Sequence, residues 1–98
     1  MIGPTPAIHP GEILREEFLS PLSLTPYGMA KAIHVPRTRI ERLAREEAPI
    51  TADTALRLGR YLGTGPEFWM NLQAAYDLAT TARGLSDLET IAPHDAAA

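Results

Sequence analysis

The placement of proline constrains this chain most. Pro10, Pro26, Pro36 and Pro66 each head a run whose apolar residues recur at three- and four-residue spacing. Proline suits a first helical position, because its missing N–H has no intrahelical partner there, and it breaks a helix interior. The chain is thus divided into short helices. No stretch shows the β-branched alternation of a strand. With 98 residues there is room for one compact domain with one core. The expected fold class is all-α, with five helices.

The first helix is predicted over 10–20 and ended by Pro21. Glu12 lies near its positive end, and Leu14 and Phe18 form an inward stripe with Leu22 beyond. The second helix opens with Thr25 as cap and Pro26 in the first turn, and carries Met29, Ala30 and Ile33 on its apolar face. His34-Val35-Pro36 is a turn. The third helix runs from Pro36 or Arg37 to about Ala44, with Ile40 and Leu43 inward, and 45–50 is a loop. Thr51 caps a fourth helix that carries Ala55, Leu58 and Leu62 and stops at a left-handed Gly63. Gly65-Pro66-Glu67 opens a fifth, with Trp69, Leu72, Gln73 and Tyr76 near one face and Gly84 at its end. The domain is expected over 1–85. The remainder, 86–98, lacks a sustained apolar pattern and is expected to be a flexible tail.

Composition removes several classes of function. There is no cysteine, hence no disulfide and no thiolate metal site. No apolar run approaches the ~20 residues that span a bilayer. The opening Met-Ile-Gly-Pro-Thr-Pro lacks the order of a secretory leader, so a cytoplasmic protein with no membrane association is expected. His9, His34 and His94 have no partner at metal-ligand spacing and read as a cap, a turn and a tail residue. Ser20, Ser23 and Ser86 lack a nucleophile-elbow context, and no glycine-rich phosphate loop is present. Neither enzymatic activity nor a cofactor, metal or small-molecule substrate is expected.

The net charge of -3 argues at first against nucleic acid, but its distribution does not. Lys31, Arg37, Arg39, Arg42 and Arg45 fall within fifteen residues that hold one acid, Glu41. The acids collect at Glu12, Glu16 and Glu17 and at Asp77, Asp87, Glu89 and Asp95. The helices over 25–33 and 36–44 meet the needs of a DNA-binding helix-turn-helix. Ala30 is small where the second helix crosses the first, Val35 anchors the turn, and Ile40 and Leu43 form the buried stripe. Arg37, Thr38, Glu41 and Arg42 fall on the opposite face. The first turn of such a helix enters the major groove, where Arg binds guanine bidentately. Periodicity alone is equally met by a helical hairpin whose arginines face water.

Longer runs add a family resemblance. His9-Pro10-Gly11-Glu12, with Leu14 and Glu17-Phe18-Leu19, resembles the opening of HigA-type antitoxins in the Cro/repressor-like helix-turn-helix (XRE) superfamily. So do Val35-Pro36-Arg37-Thr38-Arg39-Ile40 and Ile50-Thr51-Ala52-Asp53-Thr54-Ala55-Leu56-Arg57-Leu58. Gly63-Thr64, Glu67-Phe68-Trp69-Met70-Asn71-Leu72-Gln73 and Tyr76-Asp77-Leu78 complete a likeness over 8–78. The resemblance implies a five-helix, lambda-repressor-like domain that dimerises and represses its own operon. It also implies neutralisation of a HigB toxin, a RelE-like protein that cuts messenger RNA. The chain departs from the family at three points. His34 replaces a frequent glycine in the turn, Glu41 a polar uncharged residue, and Glu46-Glu47-Ala48 a glycine followed by basic residues. The acids suit an alternative function, a protein-interaction module of the same fold with weak or no operator binding.

The expected DNA-facing set is Thr25, Arg37, Thr38, Arg39, Glu41, Arg42 and Arg45, with Arg39 on phosphate. For the homodimer the expected interface is Trp69, Leu72, Gln73 and Tyr76, since aromatics are enriched at interfaces and one small core has limited room. For a basic toxin it is the first-helix face of Glu12, Arg15 and Glu16, whose two acids would complement cationic surface. An ordinary solvated helix face meets that pattern equally well.

Overall fold

The computed structural model describes residues 7–95, all helical or irregular. The opening hexapeptide and the last three residues of the expected tail lie outside the described residues. The chain passes through α1 (Pro10–Ile13), a π-helical segment that continues it (Leu14–Leu19), α2 (Pro26–Ala32), α3 (Arg37–Ala44), α4 (Ala52–Leu62) and α5 (Pro66–Gly84). A short 3-10 turn, Leu88–Thr90, follows within the expected tail.

Three of the helix starts, those of α1, α2 and α4, carry a side-chain cap. His9 Nδ1 accepts a hydrogen bond from Gly11 N at 2.8 Å and so caps α1. Thr25 Oγ1 accepts from Gly28 N at 2.9 Å ahead of α2, and Thr51 Oγ1 from Thr54 N at 3.3 Å ahead of α4. Each such cap satisfies a donor that the helix itself cannot, and contributes about 1 kcal/mol. Helix α4 stops at Gly63, whose φ of 74° is the left-handed stop expected of glycine. His34, with φ of 64°, takes the same region at the end of α2. Histidine there meets a modest steric cost, and the turn closes through Val35 N to Ala30 O at 3.0 Å.

The core is formed by Leu14, Met29, Ile40, Leu43, Leu58 and Trp69, all fully buried. Leu19, Ala30, Ile33, Ala44, Ile50 and Ala55 complete it. The first helix differs from the four-residue stripe expected for it. Ser20 N bonds to Arg15 O, a five-residue step that widens the turn. The buried pair is therefore Leu14 and Leu19, five apart, while Phe18 is half-buried and Leu22 is 55% exposed. Leu22 is not part of the inward stripe.

Two residues expected at a dimer interface are interior instead. Trp69 has no exposed surface and packs its ring against Phe18 and Phe68, with centroids 5.3 and 5.1 Å away. A side chain enclosed by its own chain offers nothing to a second copy. Gln73 is buried as well. Its Oε1 accepts from Ile50 N at 2.7 Å, and its Nε2 donates to Asp77 Oδ1 at 2.9 Å. It holds the loop before α4 against α5 and satisfies a buried backbone N–H. Leu72 and Tyr76 are half-buried, and the Tyr76 ring stands edge-on to His9 at 4.8 Å. Phe68, Met70 and Leu78 are the large apolar residues that α5 leaves exposed, Leu78 being 72% exposed.

Among the described residues no helix is long and apolar enough to cross a membrane.

Candidate nucleic-acid interface

The site is the pair α2–α3. Ala30 is buried where the two helices meet, and Met29, Ile33, Ile40 and Leu43 fill the space between them and the rest of the core. Val35 packs on that core from the turn. Burial of this one stripe leaves the remaining faces of α3 to polar residues. Arg37, Thr38, Arg39 and Arg42 are exposed, and Glu41 is half-buried. Pro36 precedes the helix with no side-chain capping bond. The first turn thus presents Arg37 and Thr38 at the open end of the helix.

Every arginine of this face has an intramolecular partner. Arg37 Nε lies 3.3 Å from Glu41 Oε2, one of the two pairings the spacing allows. Arg39 Nη1 donates to Asp53 Oδ1 at 2.6 Å. Arg42 Nη2 donates to the Glu47 carbonyl at 3.2 Å, and Arg45 Nε lies 3.5 Å from Glu47 Oε1. A guanidinium carries five N–H donors, so one partner leaves others for a ligand. Exposed ion pairs of this kind are worth little, and exchanging them for phosphate or guanine is cheap. Thr25 is exposed, but its hydroxyl oxygen is engaged by the Gly28 N–H.

The two acids that replace the family's basic residues after α3 behave differently. Glu46 adopts a left-handed φ of 63° as the residue that ends α3. Its carboxylate turns to α1, where Arg15 Nη2 lies 3.2 Å away. Glu47 remains beside Arg45.

Arg15 was expected on the solvated face of the first helix with Glu12 and Glu16. Those two glutamates are exposed. Arg15 instead reaches across to α3. Its Nη1 donates to the Ala44 carbonyl at 2.5 Å, and its Nε to Glu16 Oε2 at 3.0 Å. It satisfies a carbonyl at a helix end that has no intrahelical donor.

Asp53 and Arg57 are additions that the reading of α3 alone does not supply. Arg57 Nε donates to Asp53 Oδ1 at 2.8 Å, and its Nη1 donates to the Ile33 carbonyl at 2.9 Å. The four-residue spacing of this pair on α4 was the available signal. The hydrogen bonds from Arg57 and Arg39 hold the Asp53 carboxyl below the usual carboxylate range. Beside the end of α3, burial pushes the His9 imidazole below its ordinary value, against the opposing pull of Glu46 and Asp77. Among the described residues no three or more His, Asp or Glu side chains converge in a metal-binding group.

Five helices among the described residues, a left-handed turn at His34 and an arginine-bearing first turn on α3 define a helix-turn-helix protein of the repressor class. No family model matches the chain. Individual proteins do. Virulence-associated protein I of Dichelobacter nodosus is 51% identical over 88 residues, covering 90% of this chain and 82% of that protein. Antitoxin HigA-1 of Vibrio cholerae is 41% identical over 71 residues, 72% of this chain and 67% of that one. In structure, the Pseudomonas aeruginosa antitoxin HigA, solved with the higBA promoter, superposes with a TM-score of 0.83 at 45% identity. That match covers 91% of this chain and 99% of that one. The chain belongs to the HigA family of XRE-like antitoxins. Its relatives include proteins named as antitoxins and as HTH-type transcriptional regulators.

Proposed function

We propose that this chain is the antitoxin of a toxin–antitoxin pair, binds the operator of its own operon as a homodimer and neutralises a HigB/RelE-like toxin. The observation that carries the DNA half is the open first turn of α3. Arg37 and Thr38 stand exposed there on a helix whose buried stripe is rigidly packed. The solved HigA relative with promoter DNA supports the same reading. Under this proposal, Arg37, Thr38 and Arg42 of this chain read the major groove, and Arg39 meets phosphate. A two-fold dimer sets two such helices on half-sites about one helical turn apart, ~34 Å. Tyr76 and Leu72, half-buried on α5, and the exposed Met70 and Leu78 offer the apolar surface for that dimer.

The test is a titration of labelled DNA from upstream of the gene against a scrambled duplex. Arg37→Ala should cost the operator about 1–3 kcal/mol and relax the preference at one base position. Unchanged operator binding in both Arg37→Ala and Arg42→Ala overturns the assignment of α3. A chain that captures the product of the neighbouring gene yet never shifts DNA would instead be an interaction module.

For the toxin, the proposed contact is the exposed acidic pair Glu12 and Glu16 on the first helix, facing a cationic RNA-gripping surface. Arg15, engaged by Ala44, contributes by position rather than as a free charge. Charge reversal, Glu12→Lys with Glu16→Lys, should slow toxin association most at low salt and leave operator binding intact.

A further inference from the structure

Four groups form a continuous chain beside α3. The Ile33 carbonyl at the end of α2 accepts from Arg57 Nη1 at 2.9 Å, and Arg57 Nε donates to Asp53 Oδ1 at 2.8 Å. The same oxygen accepts from Arg39 Nη1 at 2.6 Å. The first group is backbone and therefore fixed. Each following group is oriented by the one before it. The last is a cation on the helix assigned to DNA.

Stability is a poor explanation for this arrangement. Asp53 is 53% exposed, Arg39 40% and Arg57 39% in their side chains, and pairs so exposed contribute little to folding. Orientation is a better one. A long side chain loses rotamer freedom when it grips a ligand, and fixing it beforehand removes that cost from binding. Arg39 uses one nitrogen on Asp53 and keeps its other donors for a second acceptor. The triad carries one net positive charge, two guanidinium groups against one carboxylate, so an anion is still attracted to it. Asp53 stays ionised throughout the neutral range, as the direction of its shift requires.

We propose that Asp53 is a positioning residue for DNA binding: it holds Arg39 in the orientation that meets a backbone phosphate, with Arg57 anchoring it to the end of α2. The inference rests on the operator-binding reading above and goes beyond it. It makes an acid near DNA favourable. Simple electrostatics makes the opposite forecast, because removing a negative charge close to phosphate raises affinity.

The experiment measures operator affinity across salt concentrations for the full chain and for Asp53→Ala, Asp53→Glu, Arg39→Ala and the double variant Asp53→Ala with Arg39→Ala. Thermal melts confirm that each is folded at the assay temperature. Arg39→Ala should weaken binding about tenfold and flatten the salt slope by about one unit. Asp53→Ala should weaken it by a similar factor, and Asp53→Glu should recover part of the loss. The double variant should be no weaker than Arg39→Ala, since the two residues act as one unit. Unchanged or increased affinity in Asp53→Ala, or losses that multiply in the double variant, overturns the proposal while operator binding by the parent chain stands. Failure of the parent chain to prefer operator over scrambled DNA overturns both readings.

Discussion

The two ends of α3 are built to opposite requirements. At its start, Pro36 supplies no side-chain cap, and Arg37 and Thr38 are exposed. At its finish, Leu43 and Ala44 are buried and the last carbonyls are all engaged. Arg45 N bonds to Glu41 O, Glu47 N to Arg42 O, Glu46 N to Leu43 O, and Arg15 to Ala44 O. Gly11 of α1 lies against the Leu43 carbonyl so closely that a methyl group would collide with it. One end is a rigid root and the other an open tip. A reading helix needs both, because a side chain can search for its base only if the backbone under it does not move.

The contrast is broken most severely at Gly11. Gly11→Ala forces the methyl into backbone that cannot yield as a side chain would. It should destabilise the fold by about 3 kcal/mol, as overpacking does at its upper range, which a urea or thermal melt reads directly. A melt within error of the parent would mean that α1 and α3 separate easily. Arg15→Gln is a milder cut at the same root. It should lower the melting temperature by a few degrees and speed amide exchange at Glu46 and Glu47 ahead of the core of α3. Equal protection in both proteins would show that the helix end needs no support from α1.

The smallest effect sharpens the comparison between the two non-glycine left-handed residues that bracket α3. His34→Gly should stabilise by about 0.5–1 kcal/mol, the steric relief outweighing the added freedom of the unfolded chain. Glu46→Gly relieves the same backbone but forfeits the ion pair with Arg15, so its gain should be smaller or absent. A larger gain at Glu46 would make the Arg15 pair irrelevant to folding.

Where the physics is local, the sequence was legible. Thr25, Thr51 and Gly63 act within four residues of themselves, and all three stand where their residue type predicts. The helix-turn-helix was legible for the same reason, through the stripe Met29, Ala30, Ile33, Ile40 and Leu43. What escaped depends on partners far along the chain. Gln73 looks like a surface amide until Ile50 N, 23 residues earlier, is seen to need an acceptor. Arg39 looks like a free cation until α4 brings Asp53 beside it. Trp69 looked like surplus for so small a core, yet the half-buried Phe18 and the more exposed Phe68 pack their rings against it, tilted and edge-on, and cover it. Hydrophobic periodicity carried no trace of the π-helical turn, because a regular helix bonds across four residues where this chain takes five.

That wide turn makes the first helix sensitive to its length in a way that composition does not reveal. Glu16 and Glu17 are exposed and should accept many replacements. Loss of one residue between Leu14 and Leu19 is another matter. Each residue of a regular helix advances about 100°, so a chain one residue shorter that kept the wide turn would present the alcohol of Ser20 where Leu19 now seals the core. The remedy is to tighten the turn to a four-residue pitch, which would bring the leucine back into place. Related chains are therefore free to vary in spelling here, while a gap in this stretch must be matched by a change in helical pitch.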